Sequence, residues 1–120
     1  MNGSASPVIL ILEDEALVAL DIEYSLQQAG LSPVSFARRS DAELWLEKNT
    51  PGAAVIDVRL PDGSCASVVE ILKERKIPFV IHTGQSESEI TEFEPYAFLE
   101  KPCDPQMLVS TSLSMVKSRA

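Results

Sequence analysis

The chain lacks what several large classes of protein require. No apolar run approaches the roughly 18 residues of a membrane-crossing helix. The N-terminal MNGSASP has no basic-then-apolar layout of a secretory signal, so the cytoplasm is the expected location. Lys and Arg number 10 against 18 Asp and Glu, and the net charge of −8 argues against non-specific nucleic-acid binding, which runs on clustered cations. The two cysteines, Cys65 and Cys103, are far apart and have no His pair, which speaks for two free thiols rather than a zinc site. There is no Gly-rich GKS or GKT loop, no internal repeat and no low-complexity stretch. At 120 residues, 45% of them hydrophobic, one soluble domain with one core is expected. Residues 1–6 read as a disordered tail and 7–118 as the folded unit.

What the chain does have is five short apolar runs alternating with helix-like segments. That alternation points to a parallel sheet wrapped by helices. Strands are predicted over Val8–Leu12, about Pro33–Phe36, Ala53–Val58, Phe79–His82 and Ala97–Glu100. A helix from about Ala16 to Ala29 is closed by Gly30 in a C-cap position. Ser40 and Glu43 have the spacing of a capping box opening a second helix. A third runs from about Cys65 to Arg75, with Cys65, Val68, Val69 and Leu72 on one face. A short fourth starts near Ser86 or Ser88 and is stopped by Pro95. Asp104 as N-cap and Pro105 at the first helical position open the fifth.

The chemistry sits at the ends of the apolar runs. Asp57 closes AAVIDV among apolar neighbours, where an unpaired carboxylate is expensive. VILIL runs into Glu13, Asp14 and Glu15, FVIH into Thr83, and AFLE into Lys101. Parallel strands joined by helical crossovers deliver these ends to one edge of the sheet, where such folds bind ligands. Two carboxylates about 4 Å apart repel by roughly 4 kcal/mol at an effective dielectric of about 20. One lysine does not offset three clustered acids, whereas a hard divalent cation with oxygen ligands does, and Mg²⁺ suits one or two carboxylates plus a phosphate. A carboxylate nucleophile, a cation, an ammonium and a hydroxyl together describe phosphoryl transfer to Asp57.

In order and spacing, VILILEDE, VIDVRLPDG, VIHTG and AFLEKP resemble the receiver domain of two-component response regulators, over nearly the whole chain. The resemblance implies an α/β, flavodoxin-like, five-stranded parallel sheet of order 2-1-3-4-5 with helices on both faces. It implies that Asp57 accepts a phosphoryl group from a phosphohistidine on a sensor histidine kinase or histidine phosphotransfer protein. Glu13, Asp14 and Asp57, helped by the Arg59 backbone carbonyl, would hold Mg²⁺. Thr83 and Phe98 would be the switch pair, moving so that the face made by the fourth helix, fifth strand and fifth helix changes, and the Lys101–Pro102 bond would be cis. Phe98 has no hydroxyl, so it would signal by packing. The fourth helix is reduced, as in small stand-alone receivers, and Cys103 stands where the family usually has a bulky apolar residue.

Other residues are read as structural. His82 neighbours Thr83 but points to the opposite side of its strand, which argues against a phosphohistidine role. Trp45 packs on a helix, Cys103 is a small buried group, and Glu87, Glu89, Glu92 and Glu94 form a solvated face. No DNA-binding or enzymatic output domain fits beside a receiver in this length, so output through protein contacts is expected, with neither nucleic acid nor membrane as partner. The competing functions are a pseudo-receiver that binds partners constitutively, a phosphate sink in a phosphorelay, and a phosphohydrolase. The last would place an acid two residues after its nucleophile, where this chain has Arg59.

Overall fold

The structure, a computed structural model, describes residues 6–84 and 93–119. The expected tail (save Ser6) and most of the expected fourth helix lie outside the described residues. In chain order the elements are β1 (Val8–Leu12), α1 (Ala16–Gln28), β2 (Ser32–Phe36), α2 (Arg39–Leu46), β3 (Ala53–Ile56), β4 (Arg59–Leu60), β5 (Gly63–Ser64), α3 (Ala66–Glu74), β6 (Phe79–Thr83), β7 (Ala97–Glu100) and α4 (Pro105–Arg119).

Five strands pair in parallel in the order β2-β1-β3-β6-β7, the flavodoxin-like arrangement expected. The registers align Val8 with Ser32, Ile9 with Ala53, Ala54 with Phe79 and Val80 with Ala97. Because strand side chains alternate, the central runs must be apolar on both faces, and they are. Leu10, Leu12, Ala54, Ile56, Phe79 and Ile81 pack one face with α2 and α3. Ile9, Ile11, Ala53, Val55 and Val80 pack the other with α1 and α4. Each fully buried Leu or Ile among them stabilises by roughly 1.5–3 kcal/mol. Gly30, at φ +86° just beyond α1, makes the left-handed turn that lets Leu31 re-enter the core at β2.

Two local expectations need correction. The third strand ends at Ile56 rather than Val58, because the chain leaves the sheet there for a small antiparallel hairpin, β4 with β5. Gly63 in that hairpin has φ +119°, and a Cβ there would meet the Arg39 guanidinium at 3.4 Å. The Ser40–Glu43 capping box does not form. The helix already begins at Arg39, so Ser40 is inside it. Asp62 of the hairpin caps α2 instead, its carboxylate oxygens accepting from the backbone N–H groups of Arg39 (2.9 Å) and Ser40 (3.0 Å). Glu43 turns to the Ser67 hydroxyl of α3 and to Arg39. The Asp104 cap of α4 does form, Oδ1 accepting from the Gln106 N–H at 2.9 Å.

Candidate functional site

Backbone pairing fixes the first residue beyond three strands. The Glu13 N–H donates to the Phe36 carbonyl (3.0 Å), the Asp57 N–H to that of Leu12 (2.9 Å) and the Lys101 N–H to that of Thr83 (2.8 Å). The three side chains therefore start from one sheet edge, each anchored by a backbone hydrogen bond to the neighbouring strand. The Lys101–Pro102 peptide bond is cis.

The Lys101 ammonium is the hub. Its Nζ lies 2.7 Å from Glu13 Oε1, 3.1 Å from Asp57 Oδ2 and 3.2 Å from Glu15 Oε1. Glu13 and Asp57 are both buried, and the second Glu13 oxygen accepts the Glu15 N–H at 3.0 Å. Burial raises the Glu13 pKa above the usual carboxylate value, against the hydrogen bonds from Lys101 and Glu15 that lower it, and the nearby Asp57 adds to the rise. For Lys101 burial pulls the other way, yet Glu13 and Asp57 outweigh it and hold the ammonium above its ordinary pKa. Asp14 is exposed beside them, and one oxygen each of Glu13, Asp14 and Asp57 fall within 4.8 Å of one another. Hard oxygens in a tight set with surplus negative charge fit a divalent cation such as Mg²⁺.

The remaining expected residues are placed around this group. Thr83 is buried at the end of β6, and Phe98 is half-buried on β7. Phe98 pairs in register with Ile81, and alternation puts Thr83, Ile81 and Phe98 on the same sheet face, where Phe98 packs against the α2/α3 cluster. Tyr96 is half exposed. Arg59 is exposed in β4, two residues past Asp57.

Sequence reasoning passed over Glu15 as a site residue, although the acidic run EDE carried the signal. His82 sits on the α1/α4 face, buried, and burial together with the Lys101 charge pushes its pKa down to about 4 despite an opposing pull from Glu15. Both thiols are free. Cys65 is fully buried, and burial pushes its pKa up to about 11.

Residues 9–112 match the model of the response regulator receiver domain. The phyllosphere-induced regulator PhyR of Methylorubrum extorquens is 34% identical over 103 residues, covering 81% of this chain and 39% of its own length. The phosphate regulon transcriptional regulatory protein PhoB of Escherichia coli is 32% identical over 110 residues, covering 85% of this chain and 48% of its own. The chain thus spans less than half the length of these two relatives. A CheY-like response regulator receiver domain protein from Methanospirillum hungatei superposes with a TM-score of 0.87 at 20% identity, over 95% of this chain and 96% of that one, a likeness of fold. The matched segment runs from β1 into α4 and takes in Glu13, Asp57, Thr83 and Lys101, so this chain belongs to the response regulator receiver domain family.

Proposed function

We propose that the chain is a phosphorylation switch in which Asp57 accepts a phosphoryl group from a phosphohistidine of a sensor histidine kinase or histidine phosphotransfer protein. The observation that carries this reading is the buried Asp57 carboxylate, 3.1 Å from the Lys101 ammonium at the carboxyl edge of the sheet. An Asp57 oxygen attacks phosphorus, the O–P bond forms as the P–N bond breaks, and the donor imidazole, protonated on its other nitrogen, leaves neutral. Lys101 stays in reach of the transferred group and balances charge on one of its oxygens, and the Thr83 hydroxyl takes another. Glu13, Asp14 and Asp57, with the Arg59 backbone carbonyl, would hold Mg²⁺, which when bound neutralises charge on the carboxylates and on the phosphoryl oxygens.

The signal leaves through Thr83 and Phe98. They share one face of adjacent strands, so movement of the Thr83 hydroxyl toward Asp57 opens space that the Phe98 ring can occupy. The surface that responds is the face of the expected fourth helix, which lies outside the described residues, with β7 and α4. The folded unit is residues 7–118, the compartment is the cytoplasm, and the chemistry is confined to self-phosphorylation and autodephosphorylation. Among the described residues no helix is long and apolar enough to cross a membrane.

The test is an intact mass after incubation with Mg²⁺ and acetyl phosphate. A single phosphoryl adduct that is absent from Asp57→Asn and from a chelated sample is expected. A chain that takes no adduct and forms no beryllofluoride complex, while still binding Mg²⁺, is a constitutive binding module and overturns the reading.

A further inference from the structure

Of the acids in the EDE run, Glu13 and Asp14 belong to the cluster that fits a divalent cation, and Glu15 does not. Nor is its side chain spent on the helix it opens, because Glu15 is the N-cap residue of α1 and makes no side-chain cap hydrogen bond. Its carboxylate reaches instead to Lys101, 86 positions along the chain, with Oε1 3.2 Å from Nζ. The backbone beneath that side chain is fixed on both sides. The Glu15 N–H donates to Glu13 Oε2 at 3.0 Å, and the Glu15 carbonyl accepts from the Ala19 N–H at 2.9 Å.

An ammonium has three N–H donors and no acceptor. Lys101 faces three carboxylate oxygens, those of Glu13, Asp57 and Glu15, all within 3.2 Å of Nζ. Donors and acceptors match in number, so a phosphoryl oxygen gains an N–H only when a carboxylate gives one up. Asp57 loses charge as it is esterified, and Glu13 is part of the cation cluster. Glu15 is neither esterified nor in that cluster, so its hold on the ammonium is the one that transfer leaves unchanged. A lysine head on a flexible four-carbon stem has many places to go, and a lasting third contact restricts them.

We propose that Glu15 is a positioning residue for phosphoryl transfer, anchoring one N–H of Lys101 so that the other two stay directed at Asp57 and the group it receives. The inference rests on Asp57 being the phosphoacceptor.

Glu15→Gln and Glu15→Met have side chains of similar length and lose the same charge, and only Gln keeps an acceptor oxygen. Any easing of repulsion toward an anionic donor is therefore common to both. With Mg²⁺ and acetyl phosphate, the initial rate of adduct formation, followed by intact mass, should be about three- to five-fold lower in Glu15→Met than in Glu15→Gln, the span open to an ion pair whose carboxylate side is exposed. In metal-free ¹⁵N-labelled protein the Lys101 ammonium signal, identified by its loss in Lys101→Met, should exchange with water faster in Glu15→Met than in Glu15→Gln or wild type. A merely structural Glu15 would move the melting temperature and neither of these. Equal rates in the two variants while wild type takes the adduct overturn this inference alone, and so does equal ammonium exchange. Mg²⁺ affinity lost in Glu15→Met and kept in Glu15→Gln would make Glu15 a metal ligand and overturns it too. A wild type that takes no adduct overturns the phosphoacceptor reading itself, and this inference with it.

Discussion

Glu13 and Lys101 form the shortest ion pair of the site, Oε1 to Nζ at 2.7 Å, against 3.1 Å from Lys101 to Asp57, the proposed phosphoacceptor. The glutamate side chain is 2% exposed and the lysine 16%, so water contributes little to either charge. The pair therefore holds two buried carboxylates on one ammonium. Breaking such a pair by removing one partner leaves an uncompensated charge, typically at a cost of about 3–5 kcal/mol. Lys101→Met keeps the length of the side chain and removes its charge. In metal-free buffer at pH 7 it should lower the unfolding free energy by about 3 kcal/mol. The deficit should shrink on lowering the pH toward 5, because Glu13, whose folded pKa is raised, then takes up a proton. Urea denaturation at the two pH values measures this, and a pH-independent loss below about 1 kcal/mol would contradict it.

Asp14 has the opposite character. It is exposed, and it adds negative charge to Glu13 and Asp57 without a cation of its own among the described residues. If the three carboxylates hold Mg²⁺, the ion should stabilise the fold by about 1.4 kcal/mol at ten times its Kd. For a domain of this size that is a rise in Tm of about 5 °C. Asp14→Ala should abolish the response to Mg²⁺ while leaving the metal-free Tm unchanged or slightly higher. Thermal melts in chelator and in a Mg²⁺ series decide it. An undiminished Mg²⁺ response in the variant would place the ion elsewhere.

Much of this site was legible in the chain because it depends on where strands end. Apolar runs fix the strands, parallel crossovers fix the direction, and Glu13, Asp57, Thr83 and Lys101 then reach one edge whatever the details of the loops. What was not legible depends on contacts between distant segments. The hairpin after Asp57 is only two residues per strand, too short for a periodic signal. Ser40 with Glu43 has the local spacing of a cap, but Asp62, 22 positions away from Ser40, supplies the oxygens, and the helix starts two residues earlier than that spacing implies. Glu15 looked like the tail of an acidic run, and only the folded position of Lys101 gives it a partner.

His82 should make the protein sensitive to mild acid. Its folded pKa is about 4 against 6.5 for the free side chain. Above pH 6.5 it is neutral in both folded and unfolded chains and its burial carries no penalty. As the pH falls below 6.5 the unfolded chain binds the proton first, so stability is lost progressively down to about pH 4. The gap corresponds to roughly 3 kcal/mol in full. His82→Leu removes that titration. Wild type should therefore lose more stability than the variant between pH 7 and pH 4.5, by roughly 2 kcal/mol, in paired denaturant unfolding curves. Parallel pH profiles for the two proteins would show that the imidazole is not held neutral by the fold.

Asp62 ties the hairpin that follows the phosphoacceptor candidate to the start of α2. Two backbone N–H groups, of Arg39 and Ser40, donate to its carboxylate, and these hydrogen bonds lower its pKa to about 2. Both are orphan donors of a helix terminus that no local side chain satisfies. Asp62→Ala should speed amide hydrogen exchange at Arg39 and Ser40 and fray the first turn of α2, while Asp62→Asn, which keeps an acceptor oxygen, should lose less. The contribution belongs to the ionised form: it is complete above pH 3.8 and disappears as the pH falls through about 2, the direction required by a depressed carboxylate pKa. If exchange at both amides in Asp62→Ala stays at the wild-type rate, α2 is capped by something other than the hairpin. An intact cap would also mean that rearrangements of the loop after Asp57 are not passed to α2 through this contact.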